Sequence, residues 1–126
     1  MATDTRNFKV SEFACHCCGE NKIEQRVIDT CQMIRDEMGI PIHINSGYRC
    51  KQHNANVGGV KNSYHTQGLA ADLSCGRKAI ELFLKIHELY VNGKLPELKY
   101  VILYLKKNFV HIDCGNARSF VFEIRA

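Results

Sequence analysis

A chain of 126 residues, 45% apolar and 24% charged, has the balance of a soluble globular protein and excludes the collagenous, disordered and membrane classes. That length suits one domain, residues 1–126, with a core of its own and no room for a second. The net charge of +4 comes from scattered lysines and arginines, which excludes a nucleic-acid arm and leaves a mild attraction to polyanions.

The opening "MATDTRNFKVSEF" lacks the basic start, apolar stretch and cleavage site of a signal peptide. Cytoplasmic synthesis is expected, with the protein either acting where it is made or carried out by other means. No window approaches the roughly eighteen apolar residues of a spanning helix, so no membrane insertion is expected. Next comes "FACHCCGE", with Cys15, Cys17 and Cys18 around His16. Seven cysteines in all cannot pair completely, and without an export signal they are expected to be reduced. Only Cys15 and Cys18 have the C-x-x-C separation and no second such pair follows, so small buried or half-buried thiols are favoured over a structural zinc.

From Ile23 to Met38, apolar residues at Ile23, Val27, Cys31, Ile34 and Met38 predict an amphipathic helix capped by Asn21 and stopped at Gly39. "IPIHINS" (40–46) alternates and predicts a strand with one face buried. Residues 47–63, rich in glycine and asparagine, predict a long connection of the kind that carries function. "GLAADLS" (68–74) leads into a short interior strand. A second helix is predicted over Arg77–Val91, with Ile80, Phe83, Leu84, His87 and Tyr90 or Val91 as its apolar stripe. "LKYVILYL" (98–105) and "FVHIDC" (109–114) predict a hairpin across "KKN", and "SFVFEIR" (119–125) a third strand with Phe120, Phe122 and Ile124 on one face. The order predicts an α+β fold: a small, mainly antiparallel sheet with helices packed on one face.

Strand alternation places His111 and Asp113 on one face, opposite Val110, Ile112 and Cys114, and Asp72 with Ser74 on one face of the earlier strand. If these strands are close, Asp72 and His111 converge and His65 can fold over them from its loop. Two imidazoles and a carboxylate make a three-ligand set for zinc, with the fourth tetrahedral position open to water, as in catalytic sites. Gly68 and the two alanines after it are expected to let backbone pass close to the metal. His16, His43, His53 and His87 read as ordinary surface or core histidines, and each residue of the set taken alone has an equally ordinary reading: His111 as a satisfied strand histidine, Asp72 as a turn cap.

Three separated pieces carry a resemblance: "SGYRC" with "HN" and "VGG" (46–59), "SYHTQGLAADL" (63–73) and "FVHID" (109–113). In this order they resemble the zinc D-Ala-D-Ala carboxypeptidase family, which includes peptidoglycan endopeptidases and hedgehog-like domains, and in particular its short single-domain members. The resemblance implies one zinc ion on His65, Asp72 and His111, and makes Arg49 the residue that steadies substrate or the developing oxyanion, a suitable task for a fixed guanidinium. Ser46 accompanies Arg49 as a substrate-side residue, although Ser46 and Ser63 also read as loop supports with Tyr48 packed beneath. Many family members carry a catalytic acid three residues before the last histidine ligand; here that position is Asn108, which cannot take a proton. Asp113 becomes the candidate general base, or the carboxylate that orients His111.

The resemblance therefore implies a zinc metallopeptidase that cleaves peptidoglycan peptides, with D-Ala-D-Ala the first bond to test and L-Ala-D-Glu the second; a monomer acting at the bacterial wall is expected, and a phage-borne lytic enzyme fits this reading. Two rivals stand beside it: a zinc-binding module without turnover, favoured by Asn108, and a cysteine-rich redox or metal-storage protein.

Overall fold

The computed structural model describes residues 2–116 and 119–126. In chain order it contains a 3-10 turn (Val10–Phe13), α1 (Gln25–Met38), β1 (His43–Ser46), α2 (Lys51–Asn56), a second 3-10 turn (Tyr64–Gln67), β2 (Ala70–Ser74), α3 (Ala79–Val91), β3 (Tyr100–Tyr104), β4 (Phe109–Asp113) and β5 (Val121–Arg125). The five strands form one sheet in the order β1-β2-β4-β3-β5. All neighbours are antiparallel except β3 and β5, which run parallel. The architecture is α+β with a mostly antiparallel sheet, as the sequence predicts. β5 departs from a simple meander by returning to the sheet edge in the parallel sense.

The first helix begins later than its apolar pattern. Glu24 is the residue before α1, and Asn21 instead closes a local turn, accepting from the Ile23 N–H at 3.1 Å and donating to the Val10 carbonyl at 2.9 Å. Gly39 ends the helix in the left-handed conformation (φ +69°), which a residue without Cβ adopts at little cost. Val27, Ile28, Cys31 and Ile34 are completely buried.

α3 buries a different stripe from the one its sequence suggests. Ala79, Leu82, Phe83, Ile86 and Leu89 face the core, whereas Ile80, Leu84 and Val91 are exposed. The helix carries apolar residues in two overlapping phases, so periodicity alone does not select the inward one. The outer phase is partly covered where His87 and Tyr90 meet Phe122 and Phe120, with ring centroids 4.6 and 3.5 Å apart.

Residues 47–63 are not a continuous loop: α2 occupies six of them, started at Cys50, whose sulfur accepts the His53 N–H. The β3–β4 turn needs no glycine because Asn108 takes φ +57° itself. Its side-chain oxygen accepts the Ala79 N–H at 2.7 Å and its amide donates to the Arg77 carbonyl at 3.3 Å, so the turn ties down the start of α3.

The core lies between the helices and one face of the sheet, where Ala71, Leu73, Val101, Leu103, Val110 and Ile112 are fully buried. Each such aliphatic side chain larger than alanine contributes about 1.5–3 kcal/mol by leaving water. The opposite face of the same strands lines a cleft. Among the described residues, no helix is long and apolar enough to cross a membrane.

Candidate metal and active site

In the register of β2 with β4, Asp72 stands directly opposite His111. Alternation sends both side chains away from the helices, where Leu73 and Val110 point the other way. His65 reaches the same spot from the 3-10 turn after α2. Ser63 caps that turn by accepting the His65 N–H at 3.2 Å, and Gly68 ends it at φ +73°. A Cβ on Gly68 would lie 1.9 Å from the Lys22 carbonyl oxygen, and the Gly68 carbonyl accepts the Glu24 N–H at 2.9 Å. Gly68 therefore permits a close approach to the segment before α1, not the passage beside a metal that the sequence suggests.

His65, Asp72 and His111 each present one donor atom, all within 4.8 Å of one another. His65 Nε2 is 3.2 Å from Asp72 Oδ1, His111 Nδ1 is 3.0 Å from the same oxygen, and the two rings meet edge on at 5.1 Å. The outer atoms of the group are also taken. His65 Nδ1 lies 2.8 Å from the Gly47 carbonyl, His111 Nε2 lies 2.9 Å from Asp113 Oδ2, and Asp72 Oδ2 accepts from Arg49 Nη2 at 3.1 Å.

This pattern tests whether a cation suits the site. A carbonyl has no proton to give, so His65 must donate from Nδ1, and the neutral ring then turns a lone pair on Nε2 toward Asp72. The neutral His111 ring, donating from Nε2 to Asp113, does the same through Nδ1. Two lone pairs and a carboxylate oxygen facing one point at about 3 Å require protons or a metal ion between them. The donor set thus fits a divalent cation that takes nitrogen and oxygen, and the outer contacts are those that fix imidazole and carboxylate ligands in place.

Where no metal is bound, a proton on His111 fills that role. Burial disfavours the charge on Asp72, but hydrogen bonds from His111 and His65 outweigh it and hold the carboxyl well below the usual carboxylate range. Burial likewise works against imidazolium at His111, and the hydrogen bonds from Asp113 and Asp72 overcome it, lifting the ring to about 9.

Arg49 is fixed at three points: Nη2 on Asp72, Nε on the Ser46 hydroxyl (3.1 Å) and Nη1 on Asn54 Oδ1 (3.2 Å). Ser46 therefore supports the guanidinium. Tyr48 is buried beneath this segment, and the Arg49 N–H donates to the His65 carbonyl at 3.0 Å. Asn54 has no role assigned from sequence, although it is buried, bridges Arg49 to the Val60 carbonyl and leaves no room for a Cβ on Gly59. Its only signal is the "HN" pair inside the second half of the quoted loop. Asp113 accepts from His111 and, through Oδ1, from the Gly115 N–H at 3.2 Å. Asn108 lies outside the cluster, with both ends of its side-chain amide engaged at the start of α3.

His65, Asp72, His111, Asp113, Arg49 and Ser46 line a cleft of about 700 Å³. The cleft is also lined by Tyr100, Tyr104, Lys107 and Arg125; Glu123 accepts from Tyr100 and from Arg125, and Arg125 donates to the Tyr104 hydroxyl. The fold and the cluster define a class: a small α+β protein with a two-imidazole, one-carboxylate site on the open face of its sheet. The chain belongs to the peptidase M15 family, whose profile matches residues 6–113. It is also similar to the zinc D-Ala-D-Ala carboxypeptidase of Streptomyces albus G, 50% identical over 46 residues, which are 36% of this chain and 18% of that protein. The matched stretch is under a fifth of that relative's length.

Proposed function

We propose that this chain is a zinc-dependent peptidase of peptidoglycan, with His65 Nε2, Asp72 Oδ1 and His111 Nδ1 as the ligands of one zinc ion in the cleft. The observation that carries the reading is the convergence of those three atoms within 4.8 Å, each braced from behind by a different protein group. Family membership and the carboxypeptidase relative support it.

Zinc held by two imidazoles and a carboxylate lowers the pKa of water to about 7 and polarises a carbonyl. The protein's own groups do the rest. Arg49 occupies Asp72 Oδ2 and leaves Oδ1 facing the two imidazoles. Arg49 lines the cleft, and its N–H donors not engaged by Ser46, Asn54 and Asp72 serve to bind the carboxylate of a peptide terminus or the oxyanion that forms as the carbonyl is attacked. Asp113 holds His111 through Nε2 and is, with Asp72, one of the two carboxylates on the cleft wall among the described residues. It takes the proton from the attacking water or steadies the ring through the cycle.

The substrate is a wall peptide, D-Ala-D-Ala first and L-Ala-D-Glu second, reached by a monomeric single-domain protein at the bacterial wall, whose anionic polymers suit the net charge of +4. Zinc-loaded protein incubated with defined muropeptides is expected to release D-Ala or to split the stem peptide, read by mass. Stoichiometric zinc with no cleavage of any fragment would favour the binding module, the reading to which Asn108 lends weight.

A further inference from the structure

A second cluster lies away from the cleft. Cys15 and Cys18 sit in a tight turn: the Gly19 N–H donates to the Cys15 carbonyl at 2.9 Å, the Cys15 N–H donates to the Glu20 carbonyl at 2.8 Å, and Gly19 takes φ +75°. That closure brings the two sulfurs of the C-x-x-C to one side. Cys50, 35 residues beyond Cys15, arrives just ahead of α2 and donates its N–H to Cys15 Sγ at 3.4 Å, while its own sulfur accepts the His53 N–H at 3.3 Å. The three sulfurs lie within 4.8 Å of one another, and all seven cysteines are free thiols.

We propose that Cys15, Cys18 and Cys50 hold a second, structural zinc ion, with Cys17 as the fourth ligand. Three converging thiolates are a soft donor set that suits zinc in a closed tetrahedral site. Backbone N–H groups aimed at sulfur stabilise the thiolate over the thiol, and here they point at two of the three. Cys17 lies outside the group of three sulfurs but is exposed and next to Cys18 in the same turn, so a side-chain rotation is what the fourth ligand requires. An apolar alternative is poor, because Cys18 and Cys17 are exposed and gain nothing from clustering as hydrophobes.

The ion fastens the amino-terminal turn to the segment that carries Arg49. The Tyr48 N–H already donates to the Phe13 carbonyl at 2.8 Å, and a Cβ on Gly47 would lie 2.6 Å from that same oxygen. Cys50 is the next residue after Arg49. Zinc at the cysteines thus fixes Arg49 and the Gly47 carbonyl behind His65 without touching substrate.

The test is the metal content of the full chain purified without chelator, together with the absorption of its cobalt(II)-substituted form. Wild type is expected to carry two zinc ions, and its cobalt form a sulfur-to-metal charge-transfer band. Cys18→Ser and Cys50→Ser should each lose one zinc and the band. His65→Ala should lose the other zinc and keep the band, so the two sites fail separately. Cys17→Ser should weaken the band's site without abolishing it. If a serine variant does not fold, thiol labelling of wild type decides: Cys15, Cys18 and Cys50 should be protected until chelator is added. One zinc per chain with no charge-transfer band, labelling indifferent to chelator, or a disulfide among these cysteines would overturn the proposal.

Discussion

The two faces of β2 and β4 differ by one residue of register and by everything in their chemistry. Ala71, Leu73, Val110 and Ile112 are 0% exposed against the helices; Asp72 and Asp113, on the cleft face, are 6% and 4% exposed, scarcely more. Burial is therefore not what separates core from site. The core face is held by area removed from water and tolerates no gap. The cleft face is held by hydrogen bonds among groups that would be costly to bury alone. A substitution on one face should damage stability and spare the metal, and a substitution on the other should do the reverse.

The largest effect separates the faces most cleanly. Asp72→Ala removes a proposed ligand and should lower zinc affinity by more than the roughly 10- to 100-fold expected for losing a contact behind a ligand, with activity falling below detection. Its neighbour Leu73→Ala leaves a cavity costing about 2–5 kcal/mol of stability, while the molecules that remain folded bind zinc as wild type does. Equilibrium dialysis beside denaturant melts distinguishes them. Equal loss of zinc in both variants would mean that the faces are not independent.

Within the cleft face, Asp113→Asn sharpens the division between holding and reacting. Asparagine still offers an oxygen to His111 Nε2, so zinc content should persist, but it accepts no proton at neutral pH. The turnover rate should fall by roughly 10²- to 10⁴-fold if Asp113 is the base. A rate near wild type with zinc retained would leave it the orienting role alone.

A proton on His111 and a metal ion in the proposed site would compete, which makes the comparison depend on pH. His111, raised from 6.5 to about 9 in the metal-free fold, contributes stability that is complete below about pH 6.5 and lost as pH rises through about 9. Asp72, depressed from 3.8, contributes stability present above about pH 4 and lost as pH falls toward its lowered value. Metal-free protein should thus melt highest between these limits and lose stability on the alkaline side. If zinc takes His111 Nδ1 as proposed, binding displaces the His111 proton, and zinc affinity should climb about tenfold per pH unit up to about 9 and then level. Melts with zinc and with chelator across the alkaline range check both halves; parallel curves would show that His111 is not a ligand.

Much of this arrangement is legible in the chain, and the unread parts share a cause. The period-2 pattern of "FVHIDC" separates His111 and Asp113 from Val110 and Ile112 correctly because a strand has only two faces. Helix α3 is ambiguous, since Ile80 and Leu84 continue one apolar stripe while Leu82 and Ile86 continue another, and packing against α1, β3 and β4 selects the second. The short α2 is hidden inside polar residues, and its start at Cys50 depends on a sulfur that also belongs to the cysteine cluster. That cluster illustrates the limit best: Cys15 and Cys18 carry a local spacing, but Cys50 joins them only through the fold. Contacts of long sequence separation leave no periodicity to read.

The smallest predicted effect probes the residue whose identity in the sequence most unsettles a catalytic reading. Asn108 stands where the family resemblance leads one to expect an acid, yet its side chain bonds the Ala79 N–H and the Arg77 carbonyl at the start of α3. Asn108→Ala removes a helix-start hydrogen bond, about 1 kcal/mol, and places a Cβ-bearing residue without compensating contacts at φ +57°, about 1 kcal/mol more. The melting point should drop by several degrees, with kcat and zinc content unchanged. Asn108→Asp makes the sharper comparison: it restores a carboxylate at that position, but one oxygen still accepts the Ala79 N–H and the group still faces away from the cleft, so the rate should not rise. A gain in rate for the aspartate would mean that this turn swings into the cleft during turnover, and that the site draws on both ends of β4.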